Sequence, residues 1–295
     1  MKHAFLITAY SHFDFLFNLV NRLQHADVFF YIHIDKKNEK QATRSPYVEK
    51  LKTVPNVMIL TNSIKVNWGA FSHTKAVLLL LEEAVKNKEI GFFHTMSAQD
   101  FPIYDISIIL NFFKTNNQHE YIFCKEVPTP TWGKQQGLDR ILYYHFNDLL
   151  NPKRKIEWFI LRFLVKAQQL LNIERPLPRE FSQLYGGHVW WSLSRESVLY
   201  ILKYLDDNPA FLNRFKHTHC SEEIIFQTIV MNSFLREKVT YNNLRYVEMQ
   251  GASPKILTEN DYEKITNSDK LFVRKVDAES KLLVEKITKL CKNAT

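Results

Sequence analysis

The chain has 295 residues, enough to bury a sizeable core in one large domain or two modest ones. Hydrophobic residues make up 45% and charged residues 24%, a composition that describes an ordinary soluble protein rather than a disordered or fibrous one. The net charge of +8 favours an anionic partner, such as a nucleotide diphosphate, a membrane surface or nucleic acid.

Strands and helices are predicted to alternate along the first hundred residues. The predicted strands are residues 4–9, 28–34, 57–60 and 90–96, and the predicted helices are residues 13–23 and 72–85. This alternation is typical of a mostly parallel sheet with helices on both faces. In such sheets ligands bind beyond the carboxyl ends of the strands, so we expect Asp35, Trp68 and the loop 97–102 to gather at one edge.

Residues 151–181 carry many basic and large apolar side chains. The basic ones are Lys153, Arg154, Lys155, Arg162, Lys166, Arg175 and Arg179. Two interpretations stay open: a helix that packs one face on the domain, or a basic, aromatic helix that lies on an anionic membrane surface.

The segment 185–195 combines adjacent glycines, which predict a tight turn, with two adjacent tryptophans. Neighbouring positions on a strand point to opposite faces, so either Trp190 or Trp191 would pack inward while the other forms a platform for a sugar or a base. The alternative is that both tryptophans belong to the core.

Two adjacent carboxylates, Glu222 and Glu223, stand where a helix is predicted to begin. Ser221 is a suitable N-cap, and apolar residues at helical spacing follow from Ile225. A carboxylate in the first turn gains from the positive helix end and is held rigidly, which suits a general base at the mouth of a cleft. The alternative is charge that merely complements the helix dipole on a solvated surface.

At the C-terminus, residues 278–290 are predicted to form a helix that docks on the sheet. Because no repeat or flexible linker interrupts the chain, we expect one domain over residues 1–295. The three cysteines, Cys124, Cys220 and Cys291, are widely spaced and predict reduced thiols.

Several common nucleotide and metal motifs are missing. The seven glycines form no dinucleotide-binding or P-loop pattern, and no Asp-Xaa-Asp pair is present to hold a nucleotide-bound metal ion. A nucleotide-sugar diphosphate would therefore need side-chain cations, for which Arg274 with Lys275, and Arg245, are candidates, unless they are ordinary solvated charges. His217 and His219 alternate as on one face of a strand, a weak metal-site candidate.

Taken together, these motifs resemble glycosyltransferase family 14, the core-2/I-branching β-1,6-N-acetylglucosaminyltransferases and peptide O-xylosyltransferases. The matching segments, in family order over nearly the whole chain, are His-Ile-Asp-Lys-Lys (33–37), Val-Asn-Trp-Gly-Ala (66–70), residues 92–102, Gln-Gln-Gly-Leu-Asp-Arg (135–140), residues 185–195, residues 221–228, Ser-Pro-Lys (253–255) and residues 271–277. The Gln-Gly-Leu-Asp-Arg, Ser-Pro and Phe-Val-Arg-Lys segments are nearer the xylosyltransferase branch. The resemblance implies a GT-A-like, Rossmann-type fold, an inverting mechanism, a UDP-sugar donor and no requirement for a divalent metal. Within the single domain it implies a donor-nucleotide half in about 1–125 and an acceptor and catalytic half in about 126–295.

The resemblance also implies roles for individual residues. Glu223 matches the catalytic base, Asp35 the contact to the donor base, and Thr8 the strand end that touches the uracil. Asn67 and Trp68 match the donor-site loop.

Further donor contacts fall in the second half of the chain. Ser253, Arg274 and Lys275 match diphosphate contacts, and Arg245 resembles a second cation of the core-2 enzymes. Val189 and Trp190 fall where the xylosyltransferases carry Asp-Trp, so the sugar preference of that branch does not transfer directly.

The leading hypothesis is an inverting glycosyltransferase that moves an N-acetylglucosamine- or xylose-type sugar to a hydroxyl of a glycan, lipid-linked or peptide acceptor, with Glu223 as the base. The alternative is a non-catalytic glycan- or anion-binding protein that keeps the fold. No nucleic-acid partner is expected. The first apolar run is too short for a signal peptide, and no run has the length of a transmembrane helix, so we expect a bacterial-type cytoplasmic protein, with peripheral membrane contact if the basic segment binds lipid.

Overall fold

The computed structural model describes residues 1–178, 180–251 and 253–292, with the backbone alone at positions 291 and 292. Arg179 and the side chain of Cys291 therefore lie outside the described residues. Eleven strands are found in the described part of the chain: β1 (Lys2–Ala9), β2 (Val28–Ile34), β3 (Val57–Ile59), β4 (Ile90–Ser97), β5 (Asp100–Pro102), β6 (Tyr121–Val127), β7 (Leu184–Ser194), β8 (Arg245–Val247), β9 (Met249–Gln250), β10 (Ser253–Pro254) and β11 (Phe272–Arg274).

Six of these strands form the central sheet, in the order β3-β2-β1-β4-β7-β6. The first four are mutually parallel, whereas β7 runs antiparallel to both of its neighbours. The predicted mostly parallel sheet is confirmed. Because the strand order reverses direction between β1 and β4, the carboxyl ends of these two strands border a topological switch point, the usual ligand position in such sheets.

Helices cover both faces of this sheet, as predicted. The α-helices of the described residues are α1 (Phe13–Arg22), α2 (Glu39–Thr43), α3 (Pro46–Lys52), α4 (Phe71–Ala84), α5 (Ile106–Thr115), α6 (Asp139–Leu142), α7 (Lys155–Leu170), α8 (Arg195–Asp207), α9 (Pro209–Arg214), α10 (Ile225–Met231), α11 (Tyr262–Thr266) and α12 (Lys281–Lys292). Side chains alternate along β1, so that Leu6 joins the core with α4, α8 and α10, while Phe5 and Ile7 join the core with α1, α3 and α5. The strands β1 to β4, which precede residue 125, and the strand β7, which follows it, belong to the same central sheet.

A smaller sheet, in the order β5-β11-β8, lies beside the central one. The C-terminal helix α12 buries Leu283 and Ile287 in a cluster with Phe101 of β5 and Val273 of β11. The predicted helix therefore docks on a sheet, but on this smaller one. Since β11 ends at Arg274 and β5 follows closely after β4, the small sheet places Arg274 near the end of β4.

The glycine pair Gly186-Gly187 was predicted to form a tight turn, and this is wrong. Both glycines lie inside the long strand β7, where a Cβ on Gly187 would come within 1.8 Å of the Phe123 carbonyl oxygen and one on Gly186 within 2.1 Å of Trp132. The glycines therefore permit close packing rather than a reversal. Farther along β7, Trp191 is fully buried and Trp190 is half-buried, as the strand alternation predicted.

The basic segment contains the long helix α7, which buries only Leu161 and Gln168 among its residues. Its predicted packing by one face is therefore confirmed, although that face is narrow. Within the described residues, no helix is both long and apolar enough to span a membrane.

Candidate active site

Asp35 lies directly after β2, at the carboxyl edge of the sheet, and is buried. Its Oδ1 accepts hydrogen bonds from the backbone amides of Lys37, at 2.9 Å, and Val66, at 3.3 Å. Lys37 Nζ lies 3.5 Å from Asp35 Oδ2 and donates to Asn67 Oδ1 at 2.9 Å. Asp35 thus joins the loop after β2 to the loop that carries Asn67 and Trp68, two of the predicted donor-site residues.

The Asn67–Trp68 loop is held against the turn that precedes the paired glutamates. Gly69 has a φ of +65°, and a Cβ there would lie only 2.4 Å from the His219 ring, so this close approach requires glycine. Cys220 N donates to Gly69 O at 3.0 Å, and the Trp68 and His219 rings meet edge to face with centroids 5.1 Å apart. Trp68 is half exposed and is therefore free to stack on a ligand.

Glu222 and Glu223 do not lie in the first turn of an α-helix, as was predicted. Residues Ser221–Glu223 form a 3₁₀ turn, and α10 begins only at Ile225. Ser221 is not the N-cap, because its hydroxyl lies 2.7 Å from that of Thr74 on α4. The tight turn, which follows a left-handed Cys220, directs the two carboxylates into different environments.

Glu223 points toward Arg140, whose Nη1 lies 2.7 Å from Glu223 Oε2. About a quarter of the Glu223 side chain remains exposed, so a ligand can reach it. The Arg140 guanidinium stacks 3.9 Å from the centroid of the Trp132 ring, and Trp132 in turn rests on Gly137 and Gly186. The Gln-Gly-Leu-Asp-Arg segment therefore acts by positioning a cation beside the candidate base.

Burial raises the pKa of the Glu223 carboxyl to about 7, against the opposing effect of the Arg140 charge and with a further contribution from Glu222. A carboxyl with a pKa near 7 is well suited to general acid–base catalysis at neutral pH.

Glu222 is more deeply buried than Glu223 and does not face solvent. Its Oε1 lies 3.0 Å from His73 Nδ1 on α4. Burial opposes ionisation of both groups, but their mutual attraction holds the pKa of Glu222 below its ordinary value and raises that of His73. Glu222 and His73 thus form an internal ion pair that anchors the turn.

Arg274 reaches the end of β4 from the small sheet. Its Nη1 donates to Asp100 Oδ1 at 2.8 Å and to Ser97 Oγ, and its guanidinium stacks over the Trp190 ring with the carbon atom 4.2 Å from the centroid. Since Ser97 pairs with Thr8 of β1, these contacts place Arg274 at the switch point. The predicted residues Thr8, Trp190 and Arg274 therefore come together.

Lys275 follows Arg274 and is partly exposed. Its ammonium group makes no hydrogen bond or ion pair with any of the described residues, so it is available to an anionic ligand. Its backbone amide meets the Lys255 carbonyl at 3.4 Å, next to the hairpin of β9 and β10 on which the exposed Ser253 lies. The charge of Arg274 also acts on the partner of Glu222, because it opposes the rise in the pKa of His73 that Glu222 and Glu223 cause.

Two predicted donor contacts are placed elsewhere. Arg245 is buried between the sheets, where its guanidinium donates to Ser192 Oγ at 2.9 Å and to the Thr95 carbonyl at 3.1 Å, and burial lowers its pKa to about 10. Both of its terminal nitrogens donate to groups of the central sheet, so the structure does not present Arg245 as a free cation beside Arg274 and Lys275. Val189 is also buried, with its side chain in the large core cluster, so it cannot present a side chain to a donor.

The histidine pair that was a weak metal-site candidate is not arranged as one. His217 and His219 do not share a strand face, since His217 ends a 3₁₀ helix and His219 lies in the turn that follows. Within the described residues, no group of three or more His, Cys, Asp or Glu side chains is arranged to hold a metal ion. Burial also raises the pKa of the two described cysteines, Cys124 and Cys220, which are free thiols.

An open cleft of about 830 Å³ lies beyond the ends of β1 and β2, lined by residues 11–14, 40–41 and 44–47. None of the predicted site residues lines it. A candidate base and two cations instead distinguish the region of the switch point formed by Asp35, Asn67, Trp68, Glu223, Arg274 and Lys275, which we call the groove and take as the candidate active site.

Sequence reasoning missed three residues of this groove. Arg140 and Lys37 lie within the quoted motifs, so their presence was visible although their partners were not. His73 carried no signal, because a lone histidine in a helical run does not reveal the glutamate that faces it across 149 positions.

Comparison with known proteins gives a consistent result. The family model of the core-2/I-branching enzymes matches residues 3–270. Xylosyltransferase 2 of Homo sapiens is 25% identical over 230 residues, covering 77% of this chain and 24% of that protein. Xylosyltransferase of Ciona intestinalis is 23% identical over 233 residues, with the same two coverages. The chain thus spans about a quarter of the length of these curated relatives, and the predicted resemblance is confirmed.

Solved structures resemble the chain only distantly. A putative glucose-1-phosphate thymidylyltransferase from Bacillus anthracis covers 99% of this chain, and 96% of that chain is matched, at 13% identity and a TM-score of 0.38. Core-mannan synthase A from Aspergillus fumigatus covers 81% of this chain, and 72% of that chain is matched, at 12% identity and a TM-score of 0.34. Similarity at this level carries no argument about the site.

Proposed function

The chain belongs to the core-2/I-branching family of glycosyltransferases, and from this premise we propose that it transfers a sugar from a UDP-sugar donor to an acceptor hydroxyl with inversion at the anomeric carbon. The observation that carries the proposal is Glu223, a partly exposed carboxyl with a pKa of about 7 beside the groove that Arg274 and Lys275 border. A protein that only binds glycans has no need of such a base.

The proposed reaction is a single displacement. The Glu223 carboxylate accepts the proton of an acceptor hydroxyl as the acceptor oxygen forms its bond to the anomeric carbon. On the opposite face the bond from that carbon to the diphosphate oxygen breaks, and UDP leaves with the electron pair. Arg140 positions the Glu223 carboxylate through the 2.7 Å contact, and its charge keeps part of the carboxyl population ionised at neutral pH.

Negative charge develops on the leaving diphosphate, and we propose that side chains rather than a metal ion neutralise it. This assignment is supported by the absence of an Asp-Xaa-Asp pair and by the ammonium of Lys275, which has no partner in the part of the chain that the structure describes. Arg274 contributes a charge already fixed by Asp100 and Trp190, so it is preorganised for the transition state. Trp190 and the exposed Trp68 offer aromatic surfaces on which the sugar and the uracil ring of the donor can stack.

The donor and acceptor belong to the same proposal. The curated relatives are named xylosyltransferases, which supports a xylose donor. The core-2 family name, and Val189-Trp190 in place of the Asp-Trp pair of the xylosyltransferases, support an N-acetylglucosamine donor instead. We propose a glycan, lipid-linked or peptide hydroxyl as the acceptor.

A panel of UDP-sugars tests the function directly. The chain is incubated with each UDP-sugar and mixed glycan acceptors in excess EDTA, and released UDP is measured. We expect release with one class of donor, unchanged by EDTA because no metal holds the diphosphate. Loss of release in EDTA, restored by Mn²⁺ or Mg²⁺, contradicts the metal-free assignment. Binding of UDP without release from any donor favours the non-catalytic alternative.

A further inference from the structure

Helix α7 exposes a continuous apolar face to solvent. Its members are Ile156, Phe159, Ile160, Phe163 and Leu170, with exposed fractions of 76, 56, 42, 71 and 76%. Their spacing follows the helical repeat, so they form one stripe, which we call the apolar face. Large apolar residues in one exposed stripe mark an interaction surface rather than scattered surface positions.

The orientation of this face is fixed by the opposite side of the helix. Gln168 is buried, where its Oε1 accepts from Tyr144 N at 2.7 Å and its Nε2 donates to the Tyr144 carbonyl at 3.1 Å. Leu161 is buried on the same side, and Glu157 accepts from the Asn151 amide near the start of the helix. These contacts prevent the helix from rotating its apolar face into the core.

Basic side chains run along one side of the apolar face. At about 100° per residue, Lys155, Arg162 and Lys166 lie together beside it, and we call them the basic border. Residues 153–171 contain five basic residues but one acidic residue, Glu157, which is paired with Arg154 at 2.9 Å. The surface therefore carries a net positive charge, which complements an anionic ligand.

Trp158 lies near the basic border, and the Arg162 guanidinium carbon is 5.1 Å from its ring centroid. An amphipathic tryptophan beside cations and an apolar stripe is the pattern of a helix in the headgroup region of a bilayer, where apolar side chains enter the acyl boundary and cations meet anionic headgroups. Exposed Leu149, Leu171 and Ile173 extend the apolar surface beyond both ends of the helix.

We propose that α7 docks the protein on the surface of an anionic lipid bilayer, lying in the plane of the membrane with its apolar face inserted. The helix is connected to the active site: Gln168 binds Tyr144, and Arg175 donates to the carbonyls of Ile141 and Tyr143, just beyond Arg140. If the proposed transferase function holds, docking places the groove near a lipid-linked acceptor, so this part of the inference rests on that function.

Vesicle binding tests the docking without measuring turnover. The full chain is sedimented with vesicles that contain phosphatidylglycerol and with vesicles of phosphatidylcholine alone. We expect binding to the anionic vesicles only, weakened by added salt. If the chain does not bind the anionic vesicles, the docking proposal is wrong. The proposed transferase function is unaffected by that result, because UDP release in solution does not depend on membrane binding.

Variants separate the apolar face from the basic border. Phe159→Ser with Phe163→Ser should lower partitioning at least about tenfold through lost insertion, and Arg162→Gln with Lys166→Gln should lower it roughly 25-fold through lost attraction to the headgroups. The control is Lys88→Gln with Lys281→Gln, which removes the same charge from exposed lysines outside α7 and should bind nearly as well as the native chain.

The melting temperatures, the control variant and the oligomeric state distinguish the possible explanations of a loss of binding. Retained melting temperatures show that the variants fold, as expected for exposed positions. Equal loss in the control variant would show general attraction of a basic protein and overturn the assignment to α7. Concentration-dependent dimers in size-exclusion chromatography that disappear in the Phe159→Ser, Phe163→Ser variant, without vesicle binding by the native chain, would make the face an interface between copies.

Discussion

The two sides of the groove treat their charges differently. On the strand-end side, Asp35 accepts two backbone hydrogen bonds and pairs with Lys37, so its charge is used to hold two loops together. On the side of the 3₁₀ turn, Glu223 has one strong partner, and burial raises the pKa of its carboxyl to about 7. The first arrangement stabilises a shape for binding, whereas the second keeps a carboxyl ready to exchange a proton.

The same contrast separates the adjacent glutamates. Glu222 has a buried ion pair that lowers its pKa, and Glu223 has a partly exposed carboxyl with a raised pKa. Substitutions that remove one charge at a time should therefore move activity and stability independently.

The largest expected effect is on turnover by Glu223→Gln. The substitution keeps the shape and removes the proton acceptor, so turnover should fall roughly 10²–10⁴-fold while UDP affinity is retained. Because the native pKa of Glu223 is raised above its unfolded value, ionising it between about pH 4.5 and 7 lowers the stability of the native state. At pH 8 the variant should therefore melt no lower than the native chain. A larger loss of turnover in Glu222→Gln would contradict the assignment.

The next effect tests the diphosphate side. Lys275→Met removes a cation that has no internal partner among the described residues, and it should lower turnover on the order of 10²-fold with little change in stability. The control is Lys281→Met, an exposed lysine at the start of α12. Steady-state turnover and the melting temperature are measured for both variants. Equal activity in the two would remove Lys275 from the site.

The smallest expected effect is on stability. Glu222→Gln should lower the free energy of unfolding by roughly 1.5–3 kcal/mol at pH 6 and change turnover far less than Glu223→Gln does. The ion pair with His73 is lost as the pH falls through the lowered pKa of Glu222 and as it rises through the raised pKa of His73. Urea unfolding should thus show a smaller difference at pH 9 than at pH 6.

The control for this stability experiment is Glu89→Gln, which breaks an exposed ion pair with Lys2 and should cost less than about 1 kcal/mol. A loss in Glu222→Gln that is no larger than in this control, or that is constant from pH 6 to 9, would show that the Glu222–His73 pair does not anchor the turn.

Local patterns predicted the elements better than the contacts between them. Apolar runs located the strands β1, β2 and β4, because a strand that is buried on both faces is almost continuously apolar. The Gly186-Gly187 pair was misassigned, since glycine serves a turn and a crowded strand equally well and only the Trp132 and Phe123 contacts distinguish them. Arg245 shows a related limit, because the sequence contains a cation there but does not reveal the buried hydroxyl and carbonyl groups to which it donates.

The candidate site shows the same limit. Motif order singled out Glu223, Asp35 and Arg274 as candidate site residues from the short segments that contain them. The partners that set their behaviour come from distant parts of the chain, as Arg140 does for Glu223. The pKa of a carboxyl depends on its burial and on those partners, and neither can be read from the short sequence segment around it.

The pH dependence of kcat/KM tests the central claim most directly, in the native chain and in Arg140→Gln. For the native chain we predict that kcat/KM rises with pH through about 7 and then levels off, because only the ionised Glu223 accepts the proton. Arg140 favours the ionised form, so its removal should shift the rising limb to higher pH. A native profile that is flat across pH 7, or a limb that stays in place or moves to lower pH in Arg140→Gln, would contradict the assignment of Glu223 as the general base.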